Sequence, residues 1–327
     1  MTTYVLGAGA SKDAGYPLGS SMGQKLTCWM AAHKKYEQTL IWIRERFEDP
    51  YDIERVLTKM DDVVARGEPS SESVLIANQY KRDITQALRA WFVEIRERQE
   101  GSYSLFARQV VQPGDTVISF NYDDALDRQL KASGLWRLGD GYGFPVEGFE
   151  TNSPVKLFKL HGSINWFAAL FKGMRGGTFN LADAFGSRPV FVPPDTRFLG
   201  YADKSDPRTP NKFAFDQPLI LPTKRKKFYF DTNLGPQWKA FWDSLWERAA
   251  QDLGRSQKVV LCGYSMVAID ERAHTLLLGA IPTSAQIEVC CGSDTERIIG
   301  EFRERGRAAR AAESAFFGEW VNQRAQQ

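Results

Sequence analysis

Four short stretches hold the residue types that do chemistry, and each follows an apolar run. Gly7-Ala8-Gly9-Ala10-Ser11 follows Thr3 to Leu6, and Asn121-Tyr122-Asp123-Asp124 follows Thr116 to Phe120. His161-Gly162-Ser163 follows Val155 to Leu160, and Gly263-Tyr264-Ser265-Met266 follows Lys258 to Cys262. His161 is one of three histidines, and its place at the end of a buried run, beside a glycine, suits a general base. His33, in a basic helical stretch, and His274, in a helix, have structural explanations. Asn121 is a poor strand residue set where the strand ends; helix capping accounts for Asp123 or Asp124 but not for it.

A strand followed by Gly-x-Gly and a helix brings backbone N–H groups to where a phosphate can sit. Gly263 and Ser265 offer a second turn of this kind, suited to a phosphate or a ribose. The first loop is not the usual dinucleotide fingerprint: the third glycine position is Lys12, and no acidic residue ends a second strand about 20 residues on. It is not a Walker loop either, and a tight strand-to-helix turn explains it equally well. The basic run in Pro222 to Phe228 reads more simply as a solvated segment than as a grip on nucleic acid.

The elements that must position these residues follow from the apolar pattern. Five continuous runs predict buried parallel strands: the four above and Gln286 to Cys291, with Pro218 to Leu221 as a candidate sixth. Ligands of such open α/β sheets bind beyond the carboxyl ends of the strands, where the polar residues fall. Met22 to Arg108 is long, charged and helical in period, which predicts a helical subdomain (22–108) inserted in a single domain spanning 1–327. Phe167 to Gln217, rich in Gly, Pro, Asp and aromatics, predicts long loops with little regular structure. Thr295 to Arg310 reads as a charged helix opening a C-terminal helix and tail (295–327), and Phe316 to Trp320 as a segment that docks on the body.

The chain has 327 residues, 43% hydrophobic and 25% charged, with a formal charge of +2. That balance demands neither nucleic acid nor an anionic membrane. No apolar run approaches the ~20 residues of a membrane span, and Met1 to Val5 does not open like a signal peptide. Cys28, Cys262, Cys290 and Cys291 lack the paired spacing of a structural zinc site. The expectation is a cytoplasmic protein with reduced thiols and no zinc.

Taken in order, Gly7-Ala-Gly-Ala-Ser, Ser119-Phe-Asn-Tyr-Asp, Lys159-Leu-His-Gly-Ser and Gly263-Tyr-Ser-Met resemble the motifs of sirtuins. They are most similar to the sirtuin-like proteins of bacterial antiviral defence. The resemblance implies a Rossmann-like sheet with NAD+ across its carboxyl edge. It places Gly7, Ala8, Gly9 and Ser11 on the phosphate loop, and Asn121 and Asp123 at the nicotinamide ribose. His161 becomes the catalytic histidine with Asn121 beside it, and Gly263 and Ser265 contact the phosphates or the adenosine ribose. The usual asparagine after the last strand is replaced by Cys290-Cys291-Gly292-Ser293, which leaves the adenine contacts open.

Two departures bear on activity. Deacylating sirtuins carry a four-cysteine zinc module after the His-Gly motif, whereas Phe167 to Gln217 has no cysteine. They also carry a Phe-Gly-Glu segment at the acyl-peptide cleft, where this chain has Leu221-Pro222-Thr223-Lys224. The expected activity is therefore hydrolysis of NAD+, as substrate, to nicotinamide and ADP-ribose, in a gated effector of anti-phage defence. The alternatives are an NAD-dependent deacylase or ADP-ribosyltransferase, and a non-catalytic module that senses NAD+ or ADP-ribose. An unregulated NAD+ hydrolase would drain its own cell, so a homo-oligomer and a regulatory protein encoded nearby are expected partners. The helical insert and the tail are the surfaces for such contacts, or else simply extra core.

Overall fold

The five apolar runs form strands because continuous Val, Ile, Leu and Phe fit a sheet covered on both faces. The computed structural model describes residues 1–68, 71–96, 101–146, 148–171, 188–191, 213–216, 218–226, 236–267 and 269–327. In chain order the strands are β1 (Thr2–Leu6), β2 (Thr116–Ser119), β3 (Lys156–Lys159), β4 (Trp166–Phe171), β5 (Arg188–Phe191), β6 (Phe213–Asp216), β7 (Lys258–Cys262), β8 (Gln286–Cys290) and β9 (Ala309–Ala311). The helices are α1 (Gly19–Ala31), α2 (Glu37–Arg46), α3 (Ile53–Arg66), α4 (Glu72–Arg96), α5 (Tyr103–Leu105), α6 (Ala125–Ala132), α7 (Pro236–Leu253), α8 (Glu271–Ala280), α9 (Thr295–Glu304) and α10 (Phe317–Arg324).

Six strands form one parallel sheet in the order β3-β2-β1-β7-β8-β9. The fold is the expected α/β, Rossmann-like parallel sheet flanked by helices. Because every strand runs the same way, the residues that follow Leu6, Phe120, Leu160 and Cys262 leave the sheet at one edge.

The sixth strand is not Pro218 to Leu221. Leu219, Ile220 and Leu221 are buried but irregular, and the flanking Pro218 and Pro222 lack the N–H that a ladder needs. The sixth strand is β9, which begins inside the stretch read as a charged helix. That helix stops at Glu304 because Gly306, at φ +71°, closes it: Gly306 N–H donates to Arg303 O and Arg307 N–H to Phe302 O. The chain is then free to pair Ile287 to Val289 with Ala309 to Ala311.

The chain divides into two compact units. One comprises Met1–Leu18, Ile95–Ser163 and Asp243–Gln327, and holds the parallel sheet. Its core includes Val5, Val117, Phe158, Val260 and Val289 from the strands. Phe317 and Trp320 dock as expected: Trp320 meets the Tyr4 ring at 6.2 Å, and Phe317 meets Phe106 at 5.3 Å. Phe316 stays exposed.

The other unit comprises Gly19–Glu94 and Ile164–Trp242. Leu26, Met30, Leu40, Ile43, Val56 and Leu57 are buried in it, and α1 packs on α2 and α3. The expectation of long loops over Phe167 to Gln217 needs correction. Its described parts are strands, antiparallel in the order β5-β4-β6, with Trp166 to Ala169 facing Phe191 to Arg188. Trp166–Phe171 and Phe213–Asp216 are rich in residue types that favour strands, a preference that the intervening Gly and Pro obscure. The remainder of that stretch lies outside the described residues. Among the described residues, no helix is long and apolar enough to cross a membrane.

Candidate active site

The loop leaving β1 is held by the loop leaving β7. Gly7 N–H donates to Cys262 O at 3.0 Å, Gly9 N–H to Gly263 O at 2.9 Å and Ala10 N–H to Gly7 O at 2.9 Å. A Cβ on Gly7 would stand 2.5 Å from Tyr264 Cα, and one on Gly9 2.7 Å from Gly263 Cα. The glycines are therefore required by backbone-on-backbone contact, and these three N–H groups are satisfied within the protein. Ala8 is half-buried in the short turn Ala8–Ser11.

Ser11 lies beneath this turn and is buried. Its Oγ donates to Asp123 Oδ2 at 2.7 Å and lies 2.8 Å from Tyr103 OH. Asn121 Nδ2 donates to Gly7 O at 2.8 Å and to Ser11 Oγ at 2.9 Å, and reaches Tyr103 OH at 3.3 Å. The asparagine at the end of β2 thus fastens the glycine loop to its neighbour strand. Asp123 accepts the Ala125 N–H at 3.2 Å, so this aspartate, rather than Asp124, supplies the side-chain bond at the start of α6. Burial pushes the Asp123 carboxyl up, and the pull of Lys159 and Ser11 only partly offsets that. Lys159 is itself buried, 3.1 Å from Asp127 Oδ2 and bonded to Asp123 O. Tyr103 is raised well above a free phenol, first by burial and then by Asp123, and stays a neutral donor.

His161 follows β3 and is buried, 5% exposed. Its ring meets Phe120 edge to face at 5.1 Å, and Phe120 stacks on Tyr264 at 4.2 Å. His161 Nε2 stands 2.9 Å from Asp270 Oδ2. Tyr264 OH reaches the same carboxylate oxygen at 3.5 Å. Burial and then Asp270 push both Tyr122 and Tyr264 above the ordinary phenol range.

Gly263, at φ +62°, and Ser265 border the β1 loop's partner turn. Arg297 of α9 bonds to Ser265 O and pairs with Asp294 at 3.0 Å. Met266 follows at φ +43°, a left-handed backbone at a buried, non-glycine position.

Gly7, Ser11, Asn121 and Asp123 therefore meet in one network, and His161 takes its place on the adjacent strand end beside Asp270. Sequence reasoning missed Tyr103, Asp270 and Lys159. Asp270 precedes a helix and reads as an N-cap, yet its side chain makes no capping bond. Among the described residues, no group of three or more His, Cys, Asp or Glu is placed to hold a metal ion.

No protein-family model matches this chain. No curated protein matches it either. Among solved structures it is similar to one described as a Sir2 homolog–NAD complex, at 14% identity and TM-score 0.48, covering 99% of this chain and 88% of that one. It is also similar to Sir2Tm bound to a propionylated peptide (13%, TM-score 0.45, 99% and 91% covered) and to Sir2 bound to acetylated peptide (14%, TM-score 0.44, 99% and 91% covered). At these identities and scores the likeness assigns no activity to this chain.

Proposed function

We propose that this chain cleaves the glycosidic C–N bond of NAD+, releasing nicotinamide and passing the ADP-ribosyl group to water. The observation that carries the reading is the gathering of Ser11, Asn121, Asp123 and His161 at the carboxyl edge of one parallel sheet, on neighbouring strands β1, β2 and β3. Two glycine turns stand at the same edge. The bonding pair of the C1′–N bond leaves with the nicotinamide and neutralises its ring, so no strong general acid is required. Water forms the new C1′–O bond and gives up one proton. His161 accepts that proton as general base, and positioning of the ribose supplies much of the remaining acceleration. Asn121, tied to Gly7 and Ser11, holds the loop in register with the end of β2.

The test is incubation of the purified protein with NAD+ alone, then with an acetylated peptide, following free nicotinamide and deacylated product. Release of nicotinamide without peptide, abolished by His161→Ala in a folded sample, is expected. Release that depends on the peptide would establish the deacylase reading instead, and binding of NAD+ without turnover would establish a sensor. Near wild-type turnover in His161→Ala would overturn the mechanism.

The same reading includes restraint of the activity by sister subunits or a protein partner, in a soluble effector of anti-phage defence. Contacts that order the site would act by shifting an equilibrium between idle and competent states. Turnover should then rise with protein concentration or on adding the product of a neighbouring gene. Full activity of a monomer, unchanged by either, would remove this part.

A further inference from the structure

We infer that Asp270 is a positioning residue that holds His161 in a single tautomer, with the proton on Nε2 and the basic lone pair on Nδ1. The inference deepens the reading of His161 as general base and rests on it for its functional consequence.

Three observations carry it. His161 Nε2 and Asp270 Oδ2 are 2.9 Å apart, and both side chains are buried, 7% and 2% exposed. At that distance the carboxylate favours a proton on Nε2, because a bare nitrogen lone pair facing it would be repelled. The second concerns Asp270 itself. It stands directly before α8, where an aspartate ordinarily caps the helix, yet its side chain makes no capping bond. Helix capping therefore does not account for a carboxylate at this buried position, and burying one without compensation is costly.

The third is the surrounding wall. Titratable groups that face the pair include the phenols Tyr264, 3.5 Å from Asp270 Oδ2, and Tyr122, whose ring centroid lies 6.3 Å from that of His161. Tyr264 donates to the carboxylate, and both phenols stay neutral, so neither competes for the histidine's proton. Phe120 closes one side of the imidazole. A ring held in this way cannot turn freely to exchange its two nitrogens. An aspartate that fixes tautomer and orientation in this manner also stabilises the imidazolium formed on proton transfer.

The test uses the full chain labelled with 15N-histidine. Three histidines give few signals, and His161→Ala assigns the one of interest; His33 is separable because its Nδ1 lies 2.8 Å from Trp29 O. In the wild type, His161 should show a protonated Nε2 and an unprotonated Nδ1. In Asp270→Asn the two tautomers should mix, and kcat should fall on the order of 10²- to 10⁴-fold with KM little changed. Asp270→Glu, which keeps the charge, should recover part of both. A wild-type His161 protonated on Nδ1, or a tautomer unchanged in Asp270→Asn, would overturn the assignment. So would a loss confined to KM. The spectrum needs no turnover, so a chain without NAD+ hydrolysis would defeat the functional reading while leaving the tautomer to be decided. If Asp270→Asn fails to fold, the wild-type spectrum still decides.

Discussion

Gly9 donates its N–H to the carbonyl of Gly263 at 2.9 Å, so the loops leaving two adjacent parallel strands lie backbone against backbone. What reads in sequence as two separate phosphate-binding turns is one interlocked support.

Gly9→Ala and Gly263→Ala should each unfold at lower urea concentration, by about 1–3 kcal/mol for the forced overlap. The new methyl of Gly9→Ala would meet Gly263 Cα at 2.7 Å, and that of Gly263→Ala would meet Ala10 N at 2.4 Å. Gly263→Ala should be the worse of the two, since φ +62° adds left-handed strain of about 1 kcal/mol. Gly279, in α8 with open space around its Cβ, is the control: Gly279→Ala should be neutral or stabilising. Equal midpoints for all three would show that the loops do not depend on close approach.

Asn121→Asp should destabilise the protein by about 1–3 kcal/mol, although it is nearly isosteric. The change removes the donors to Gly7 O and Ser11 Oγ and brings a second carboxylate beside Asp123. A thermal melt indistinguishable from wild type would mean that Asn121 does not hold the loop.

Glu288 gives a pH dependence whose sign is fixed. Burial alone would raise its carboxyl, but Trp320, Arg324 and Lys258 outweigh burial and hold it at about 2, below the ordinary 4.5. Trp320 Nε1 stands 2.7 Å from Oε1, and Arg324 reaches both oxygens at 2.8 and 2.9 Å. A depressed carboxylate stabilises the fold fully above its unfolded pKa and ceases to do so as pH falls through its folded pKa. The contribution should thus be complete above about pH 5 and lost between about pH 4.5 and 2. Glu288→Gln should melt lower at pH 7 and lose this part of the acid dependence. Parallel pH–stability curves for the two proteins would refute it.

Cys262 and Cys291 should remain protonated thiols. Burial, then the neighbouring cysteines, pushes Cys262 well up, and burial takes Cys291 to about 12. A thiol reagent should label exposed Cys28 in the native protein and reach the buried three only on unfolding. A chelator should leave the melt unchanged, and elemental analysis should find no stoichiometric zinc. About one zinc per chain would revive a structural metal site and with it the deacylase reading.

The sheet was legible because β1, β2, β3, β7 and β8 are mostly apolar runs, a pattern that a doubly covered strand requires; the one charge inside β8, Glu288, is paired. Strand β9 was not: Ala309-Arg310-Ala311 is short, charged and at the sheet's edge, where one side needs no apolar cover. Strands β4, β5 and β6 were hidden by the Gly- and Pro-rich sequence between them. Within the site, Asn121 and His161 stood out because local structure gives no reason for either. Asp270 was invisible because local structure gives a sufficient but wrong one. Tyr103 lies in a stretch of helical period, and no local pattern aims its hydroxyl at Ser11.

The discontinuity of the sheet unit governs when its supporting contacts can form during synthesis. Strand β1 emerges early, yet one of its two neighbours, β7, and the Trp320 ring that covers Tyr4 are translated only after more than half the chain has passed. The loop holding Ser11 can find Asn121 soon after β2 appears, but its support from Gly263 comes far later. Such long-range closure is slow and depends on late residues. A nascent or truncated chain therefore carries every motif of the first half without the late support that joins them, so any chemistry of the site waits for translation of the sheet unit to be complete.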